Sequence, residues 1–329
     1  MTAPAALLGL GSDPHVIITV TLNPSLDLTY TLCEVGRDID VHRASRSTLE
    51  ASGKGVNVSR ILNMVAVPTV AVLPAGGLTG RLLLRLLDAE GVSHQSVPQT
   101  GETRVNTTAL GPGGTMTKFN GPGARLEPAE QVALVERTKQ ALRGAHRKGG
   151  ESLWVALCGS LPPGVEAPLI VDLVEVAHAH GAKCVIDASG EALSTALTAH
   201  PDLLAPNRRE LSEVTGAVSC DGSVEQFADA ARELARRTGA ELLVSLDQDG
   251  ALYTDGTRVM HGYGASLHPV NTAGAGDALL AGWLSAEKPP RSRLASAVGW
   301  GRSACLAPTT VDDTPGQRDE SPVTVEDLT

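Results

Sequence analysis

The sequence predicts an α/β fold in which helices flank a mostly parallel central sheet. Apolar, β-branched runs alternate with longer segments whose apolar residues recur every three or four positions, a pattern typical of βαβ units. Of the 329 residues, 42% are hydrophobic and 19% are charged, which is the composition of a globular protein. A chain of this length forms one large domain or two smaller ones.

The alternation also gives the order of the elements. Six short apolar runs are the candidate buried strands, at residues 16–22, 69–73, 153–157, 183–186, 203–204 and 241–246. Six segments with apolar spacing of three and four residues are the candidate helices, and several of them start near Pro, Ser or Thr. They are residues 55–63, 79–90, 128–145, 168–180, 223–238 and 275–286.

Two segments, 26–48 and 95–121, break this alternation. The second contains strand-like pieces at 104–110 and 115–119, joined by the turn Gly-Pro-Gly-Gly at 111–114, which predicts a small antiparallel sheet beside the main one. The last residues, 311–329, are rich in Asp, Glu, Pro and Thr. We expect them to form a loosely attached tail.

Composition excludes several classes of partner and location. The net charge is -10 and aromatic residues make up only 2%, so the chain lacks both the broad basic surface and the stacking platforms of nucleic-acid binders. No stretch approaches the ~18 apolar residues of a membrane helix. Five scattered cysteines without a C-x-x-C pair indicate a reducing compartment. We expect a cytoplasmic protein that contacts neither nucleic acid nor membrane.

The sharpest motif is a Gly-rich turn, Asn-Thr-Ala-Gly-Ala-Gly-Asp at 271–277, that runs directly into an apolar helix. Backbone N–H groups at such a helix start favour an anion such as phosphate. Asp277 would repel that anion unless it has a task, such as accepting a proton from an attacking hydroxyl. The alternative is that Asp277 only caps the helix.

A second Gly-rich helix entry carries Gly53, Lys54 and Asn57. Its spacing differs from G-x-x-x-x-G-K-[ST], so it is not a Walker loop. Asp27 follows the first predicted strand, at the sheet edge where open α/β folds bind ligands. Taken singly, the motif with Gly53, Lys54 and Asn57 is a flexible helix start, and Asp27 is a turn residue.

Further polar blocks lie on the predicted small sheet and after two strands. Thr-Arg-Val-Asn at 103–106 places Arg104 and Asn106 on the small sheet together with Lys118, where cations are otherwise solvated edge residues. Gly-Ser-Leu-Pro-Pro-Gly at 159–164 and Pro-Asn-Arg-Arg-Glu at 206–210 each follow a strand.

Together, in this order, the blocks resemble the PfkB (ribokinase-like) carbohydrate kinases, within them the 1-phosphofructokinase and tagatose-6-phosphate kinase branch. The seven blocks are T-L-N-P-S-L-D, G-K-G-V-N-V, T-R-V-N, F-N-G-P-G, G-S-L-P-P-G, P-N-R-R-E-L and N-T-A-G-A-G-D-A. The resemblance implies a single ribokinase-like domain over 14–310 with a small β-sheet lid, which can form a homodimer. It also implies Mg²⁺-dependent transfer of the ATP γ-phosphoryl group to a sugar hydroxyl.

The resemblance also implies roles for individual residues. Asp277 matches the catalytic base, and the amides of Ala273, Gly274, Ala275 and Gly276 match the anion hole. The positions that match sugar and sugar-phosphate contacts are Asp27, Gly53, Lys54, Asn57, Arg104, Asn106 and Ser160. The positions that match the nucleotide side are Asn207, Glu210, Ser245, Asp247 and Gly250, with Glu210 organising Mg²⁺ through water.

Two departures from the family pattern concern the nucleotide. Asp247 stands where the family segment Ser-Leu-Gly-x-x-Gly has its first Gly, and Ala205 stands where relatives often have Lys. A carboxylate beside a triphosphate costs Coulomb energy, so we expect Asp247 to point into solvent or to cap the following turn.

The expected reaction is phosphorylation of fructose 1-phosphate to fructose 1,6-bisphosphate. The same reaction on tagatose 6-phosphate or fructose 6-phosphate, and a catalytically silent sugar-phosphate sensor, stay open as alternatives. A nucleotide-binding oxidoreductase would need G-x-G-x-x-G after the first strand, where this chain has Thr-Leu-Asn-Pro at 21–24.

Overall fold

The protein has an α/β architecture built on one large and one small sheet. A computed structural model describes residues 15–34, 41–112, 115–146, 152–166, 168–307, 309–311 and 321–328. The large sheet has ten strands in the order β14-β13-β12-β11-β10-β9-β8-β1-β4-β5, and the small sheet has four in the order β3-β2-β6-β7. The predicted fold class is confirmed.

The seven strands from β5 to β11 in the large sheet are parallel, and β12, β13 and β14 continue it antiparallel. The large-sheet strands are β1 (Val16–Thr21), β4 (Thr69–Ala75), β5 (His94–Pro98), β8 (Leu153–Cys158), β9 (Lys183–Asp187), β10 (Leu203–Leu204), β11 (Glu241–Ser245), β12 (Ala251–Thr254), β13 (Val259–Tyr263) and β14 (Thr324–Leu328). The small-sheet strands are β2 (Ser25–Leu32), β3 (Ala44–Ser52), β6 (Arg104–Leu110) and β7 (Met116–Phe119).

Helices cover both faces of the large sheet. They are α1 (Lys54–Met64), α2 (Gly77–Ala89), α3 (Pro128–His146), α4 (Pro168–Ala179), α5 (Glu191–Ala196), α6 (Arg208–Thr215), α7 (Val224–Thr238), α8 (Ala275–Leu284) and α9 (Pro290–Cys305). In β1, Ile18 and Val20 pack in the layer of α3, α4 and α7, whereas Ile17 packs in the layer of α1, α8 and α9. This alternation explains why the parallel strands are continuously apolar.

The structure differs from the sequence-based expectations in several segments. His94–Pro98, expected in the small sheet, pairs with β4 at the edge of the large sheet. Thr324–Leu328, expected in a loose tail, pairs with β13 as an edge strand. Its acidic, partly exposed sequence lacks an apolar pattern, because backbone pairing alone defines the strand. α9 begins at Pro290, a first-turn proline that the apolar pattern missed. Parts of the two segments that break the alternation, residues 35–40 and 113–114, lie outside the described residues. So do residues 1–14 and most of the predicted tail, 312–320.

The predicted small sheet is present, but it is mixed and not antiparallel throughout, because β2 and β6 pair in parallel. It has two unlike faces. Its register places Asp27 opposite Glu50 on β3 and beside Asn106 on β6, so these polar residues share one face. The other face carries Tyr30, Leu49, Val105 and Phe119, four large apolar or aromatic side chains that are exposed. Among the described helices of the protein, none is long and apolar enough to cross a membrane.

Candidate active site

The candidate site lies at the carboxyl edge of the large sheet, where β1, β8 and β9 end and where α1 and α8 begin. Thr21, Cys158 and Asp187 are the last residues of those three strands, and β1 and β8 pair in register as far as Thr21 and Cys158. Ligands bind at this edge in open α/β sheets. The topology therefore brings together motifs that are more than two hundred residues apart in sequence.

Asp277 is buried in the first turn of α8. Its Oδ2 accepts a hydrogen bond of 2.7 Å from Asn57 Nδ2 on α1. Burial and the nearby charge of Asp187 raise the pKa of Asp277 to about 7, against the opposing effects of Asn57 and Lys54. A carboxylate with this pKa can accept a proton near neutral pH.

Lys54 is the first residue of α1, and its Nζ lies 2.6 Å from Asp187 Oδ1. Burial alone would lower the pKa of Lys54, but the carboxylates of Asp187 and Glu210 raise it above its ordinary value. The ammonium is therefore a permanent cation among Asp187, Glu210 and Asp277. It offsets a cluster of negative charge that would otherwise repel an anionic ligand.

Asn57 has one buried polar atom to which no described residue hydrogen-bonds. Its side chain is buried, and Nδ2 is engaged with Asp277. Within the described residues Oδ1 has no hydrogen-bond partner, although buried polar atoms are nearly always paired. An acceptor beside the carboxylate of Asp277 suits a hydroxyl donor on a ligand.

The turn before α8 is the segment in which we expect the anion cradle. Two of its amides have partners within the turn: Ala273 N donates to Asn271 Oδ1 at 2.9 Å, and Ala275 N donates to the Thr272 carbonyl oxygen at 3.4 Å. Gly274 has φ 81°, and a Cβ built there would lie 2.3 Å from the carbonyl oxygen of Thr310, so only glycine fits this turn. At Gly276, by contrast, a Cβ would meet no described atom within 4 Å. The first-turn N–H groups have no intrahelical partner, and this open space lets a phosphoryl group reach them.

The small sheet brings its own polar cluster towards this edge. Asp27 accepts hydrogen bonds from Ser25 and Ser52, both 2.8 Å, and from Asn106 Nδ2 at 2.9 Å. The aligned Asp27 carboxylate thus shares its face of the sheet with Asn106. The expectation that Asp27 is only a turn residue is wrong, since it lies inside β2.

Arg104 is more engaged than a cation reserved for a ligand would be. Its guanidinium donates to the carbonyl oxygens of Gly121 at 3.0 Å and Asn23 at 2.9 Å. Asn23 Nδ2 in turn donates to Ser160 Oγ at 3.3 Å. Arg104 therefore fixes two loops, and because a guanidinium has five donors, N–H groups remain for an anion.

On the other side of Lys54, Asn207 and Glu210 begin α6. The Asn207 side chain accepts from Glu210 N, and the Glu210 side chain accepts from Asn207 N, both at 2.9 Å, which is a capping box. Burial raises the pKa of Glu210 despite the opposing charge of Lys54. The N-x-x-E pair is thus first a helix cap, with one buried carboxylate beside Lys54.

The segment Ser245–Gly250 forms a tight turn after β11. Ser245 bridges to Asn207, which ties the turn to α6. Asp247 has φ 54° and its side chain is 79% exposed, in agreement with the expectation that it points into solvent. Gly suits this position because the backbone is left-handed there.

A cavity of about 710 Å³ opens beside the anion cradle. It lies between the far end of the small sheet, at Thr31, Leu110 and Met116, and the loop at His268 and Asn271 that leads into the cradle. The start of the cradle is therefore open to a molecule of ligand size.

The carboxylates fit a magnesium ion held mainly through water. Among the described residues no group of three His, Cys, Asp or Glu side chains forms a metal cage. Mg²⁺ usually keeps several waters and takes one or two carboxylates together with substrate phosphates. Glu210 and Asp187, which both act electrostatically on Lys54, provide such a donor set.

Sequence reasoning missed Asp187. The predicted strand ended one residue earlier, at 186, and the following Asp-Ala-Ser-Gly was not singled out. A carboxylate directly after a buried parallel strand lies at the same edge as the other motifs, and that placement was the available signal.

Comparison with known proteins agrees with this geometry. Residues 20–288 match the model of the pfkB family of carbohydrate kinases. The chain belongs to this family. It is therefore a sugar kinase, a phosphotransferase with an alcohol group as acceptor, and the ribokinase-like expectation of the sequence is confirmed.

Individual pfkB relatives are similar over most of their length. A 1-phosphofructokinase from Rhodobacter capsulatus is 32% identical over 298 residues, covering 89% of this chain and 92% of the relative. A D-tagatose-1-phosphate kinase from Bacillus licheniformis is 30% identical over 289 residues, covering 86% and 91%. Phosphofructokinase-2 from Escherichia coli in complex with substrates and products has a TM-score of 0.79 and 30% identity, covering 88% and 93%. The E. coli enzyme also has a tetrameric inhibited form.

Proposed function

We propose that this pfkB-family kinase transfers the γ-phosphoryl group of ATP to fructose 1-phosphate, which yields fructose 1,6-bisphosphate and ADP. The observation that carries the proposal is Asp277, a buried carboxylate with a pKa of about 7 in the first turn of α8. It lies where a base is needed, between the anion cradle and the polar face of the small sheet. The 1-phosphofructokinase from R. capsulatus supports the choice of sugar.

In the proposed reaction Asp277 takes the proton from the C6 hydroxyl of the sugar. The oxygen forms a bond to the γ-phosphorus while the bond from that phosphorus to the β-γ bridging oxygen breaks, so that ADP leaves with the electron pair. Asn57 Oδ1, which is buried without a described partner, accepts a hydroxyl hydrogen bond from the sugar. The amides of Gly274, Ala275 and Gly276 stabilise the transferring group, because such donors act where charge develops.

The sugar and its phosphate lie under the small sheet. Asp27, aligned by Ser25, Ser52 and Asn106, accepts from sugar hydroxyls. The remaining N–H groups of Arg104, together with Asn106, bind the 1-phosphate, since guanidinium matches phosphate geometry. Gly53, Lys54 and Ser160 complete the sugar side.

The nucleotide lies along the other side of the cradle, on Asn207 and the turn Ser245–Gly250, which includes Asp247. Glu210 and Asp187 would hold Mg²⁺ through water, and the ion would supply positive charge against the negative charge that develops on the phosphates during transfer.

The apolar face of the small sheet forms the interface with a second copy of this chain. Tyr30, Leu49, Val105 and Phe119 are 38%, 39%, 40% and 63% exposed, and they alternate with the polar residues that face the site. Contiguous exposed apolar surface of this kind marks an interaction site. The E. coli relative also associates, as a tetramer in its inhibited form.

A coupled ADP-release assay over a panel of sugar phosphates tests the proposed function. With ATP and Mg²⁺ we expect kcat/KM for fructose 1-phosphate to exceed that for fructose 6-phosphate, tagatose 6-phosphate and tagatose 1-phosphate at least tenfold. Preference for one of the other sugars would change the proposed substrate but leave the assignment as a sugar-phosphate kinase. Binding of a sugar phosphate without ADP release from any of them would reduce the protein to a sensor.

A further inference from the structure

The C-terminal strand β14 lies close to the turn that we assign to the nucleotide. Its five residues, Thr324–Leu328, pair in register with β13 from Tyr263 back to Val259. Arg291 on α9 donates to the Val325 carbonyl oxygen and to the Asp327 carboxylate. β14 is thus held by both its neighbouring strand and a helix, and it forms an edge of the large sheet.

The nearby turn Leu246–Gly250 has a backbone that needs external support. Asp247 has φ 54°, an unusual value for a residue with a side chain. Gly250 has φ 88°, and a Cβ there would lie 2.0 Å from the carbonyl oxygen of Gly262. The conformation of Asp247 costs free energy and persists only when the surrounding structure fixes it, and the close contact at Gly250 leaves no room for a side chain.

Two side chains from different elements converge on Asp249 within this turn. Arg208, at the start of α6, forms a hydrogen-bonded ion pair with the Asp249 carboxylate and donates to Leu246 O at 3.4 Å. His261, buried on β13, places Nε2 2.6 Å from the Asp249 carbonyl oxygen. The carbonyl has no proton, so Nε2 is the protonated donor.

The ring of His261 lies beside β14. Its other nitrogen, Nδ1, lies 3.7 Å from Glu326 Oε1. Tyr263 packs against the imidazole with 4.9 Å between ring centroids, and its hydroxyl lies 3.5 Å from Glu326 Oε2. A chain of contacts therefore runs from β14 through His261 to the backbone of the turn.

We propose that His261 is a positioning residue for the phosphoryl donor and that β14 belongs to the nucleotide-binding half of the protein. His261 holds the Asp249 carbonyl so that the turn keeps its binding conformation, and β14 packs along the strand that carries this ring. This inference rests on the proposed assignment of Ser245–Gly250 to the nucleotide.

Two substitutions at His261 separate its hydrogen bond from its bulk. His261→Phe keeps a ring and loses the donor, whereas His261→Gln keeps an N–H that can reach the same carbonyl. We expect His261→Phe to raise KM for ATP and the calorimetric Kd for MgADP 3- to 10-fold, as the loss of one buried hydrogen bond would. KM for the sugar phosphate should stay within twofold, and His261→Gln should stay within twofold of wild type throughout.

Arg291→Met tests the strand, because it frees β14 without touching the turn. We expect the same rise in Kd for MgADP at a smaller magnitude, about 2- to 4-fold. His178→Phe is the matched control, since His178 pairs with Asp202 on the surface, away from this turn, and should leave Kd for MgADP unchanged.

The binding measurement keeps this inference apart from the proposed reaction. If wild type binds MgADP but phosphorylates no sugar, the proposed reaction is wrong, and weaker MgADP binding by His261→Phe still supports the positioning role of His261. If wild type is an active kinase and His261→Phe binds MgADP as wild type does, the positioning role is overturned. Equal losses of sugar and nucleotide affinity in His261→Phe would also overturn it, because they indicate a general structural role.

Discussion

Asp277 combines deep burial with a position in the first turn of a helix, so its carboxylate is costly to ionise and close to the anion cradle. We expect Asp277→Asn to lower kcat about 10²- to 10⁴-fold, the usual contribution of a general base. The melting temperature should not fall, because the amide no longer requires a buried charge. Steady-state kinetics and calorimetry on the purified variant check both effects; turnover within threefold of wild type would exclude Asp277 as the base.

The charges around Asp277 predict a pH dependence with a definite sign. The base works when deprotonated, so kcat should rise with pH through about 7, the pKa of Asp277. The Asp187 charge raises that pKa and the Lys54 charge lowers it. Asp187→Asn should therefore move the acidic limb of the kcat profile to lower pH, and Lys54→Met should move it to higher pH.

The midpoint of that limb is the measurement, since both variants also lose turnover for other reasons. Profiles from pH 5 to 9 at saturating substrate give the midpoint regardless of height. Shifts of the two variants in the same direction would contradict this electrostatic account.

Asp247 tests whether the departure from the family glycine matters. The left-handed backbone costs a non-glycine residue about 1 kcal/mol in the folded state. Glycine avoids this cost but loses a similar free energy on folding, because its unfolded chain is more flexible. The exposed carboxylate is 3.9 Å from Arg208, a contact that contributes little at the surface. We expect Asp247→Gly to change KM for ATP less than twofold and the melting temperature by no more than about 2 °C; a fivefold lower KM would mean that the carboxylate faces the triphosphate.

At the scale of elements, the sequence predicted those whose burial pattern is regular. The parallel strands β1, β4, β8, β9 and β11 are apolar runs because both faces are covered, and the long helices have matching spacing. The elements that were missed bury less or bury by pairing: α6 is a short polar helix defined by its capping box, and β14 is acidic. Such segments carry too few apolar residues for periodicity alone to identify them.

The sequence predicted the motif residues of the candidate site, but it did not predict which residues pair with them. Asp277, Lys54 and Asn57 come together as expected, but the ion pair of Lys54 with Asp187 joins residues 133 positions apart. Likewise, the engagement of Arg104 with Gly121 and Asn23 depends on how two loops fold against the small sheet. A single sequence carries no record of such tertiary pairings.

Arg104 consequently links the small sheet to two loops, at Asn23 and Gly121, that we assign to the sugar side. We expect Arg104→Ala to raise KM for the sugar phosphate about 10- to 100-fold, since charge-assisted hydrogen bonds are worth roughly 1.5–3 kcal/mol. It should also lower the melting temperature, because the carbonyls of Gly121 and Asn23 lose their donor. Arg104→Lys keeps the charge without the planar fork and should restore only part of the affinity. A rise in KM for ATP with no change for the sugar would place Arg104 on the nucleotide side.

For the whole molecule, the two-faced small sheet predicts self-association. Phe119 is the most exposed of the four apolar side chains on the outer face. Phe119→Glu should convert the proposed dimer to a monomer in light scattering coupled to size-exclusion chromatography, because a charge cannot be buried there without a partner. Lys118→Glu, one residue away on the opposite face, is the control and should remain dimeric. A wild-type protein that is monomeric at micromolar concentration would contradict the interface.

The distribution of tryptophan gives the molecule an uneven optical label. Trp154 and Trp283 are buried on either side of Arg293, Tyr253 stacks on Trp283 at 4.7 Å, and Trp300 packs against the same layer. The described strands of the small sheet contain Tyr30 and Phe119 as their aromatic residues and no tryptophan. Tryptophan emission will therefore follow the unfolding of the layer formed by α1, α8 and α9 and stay silent when the small sheet moves alone. An indole introduced at Tyr30 would make that motion visible.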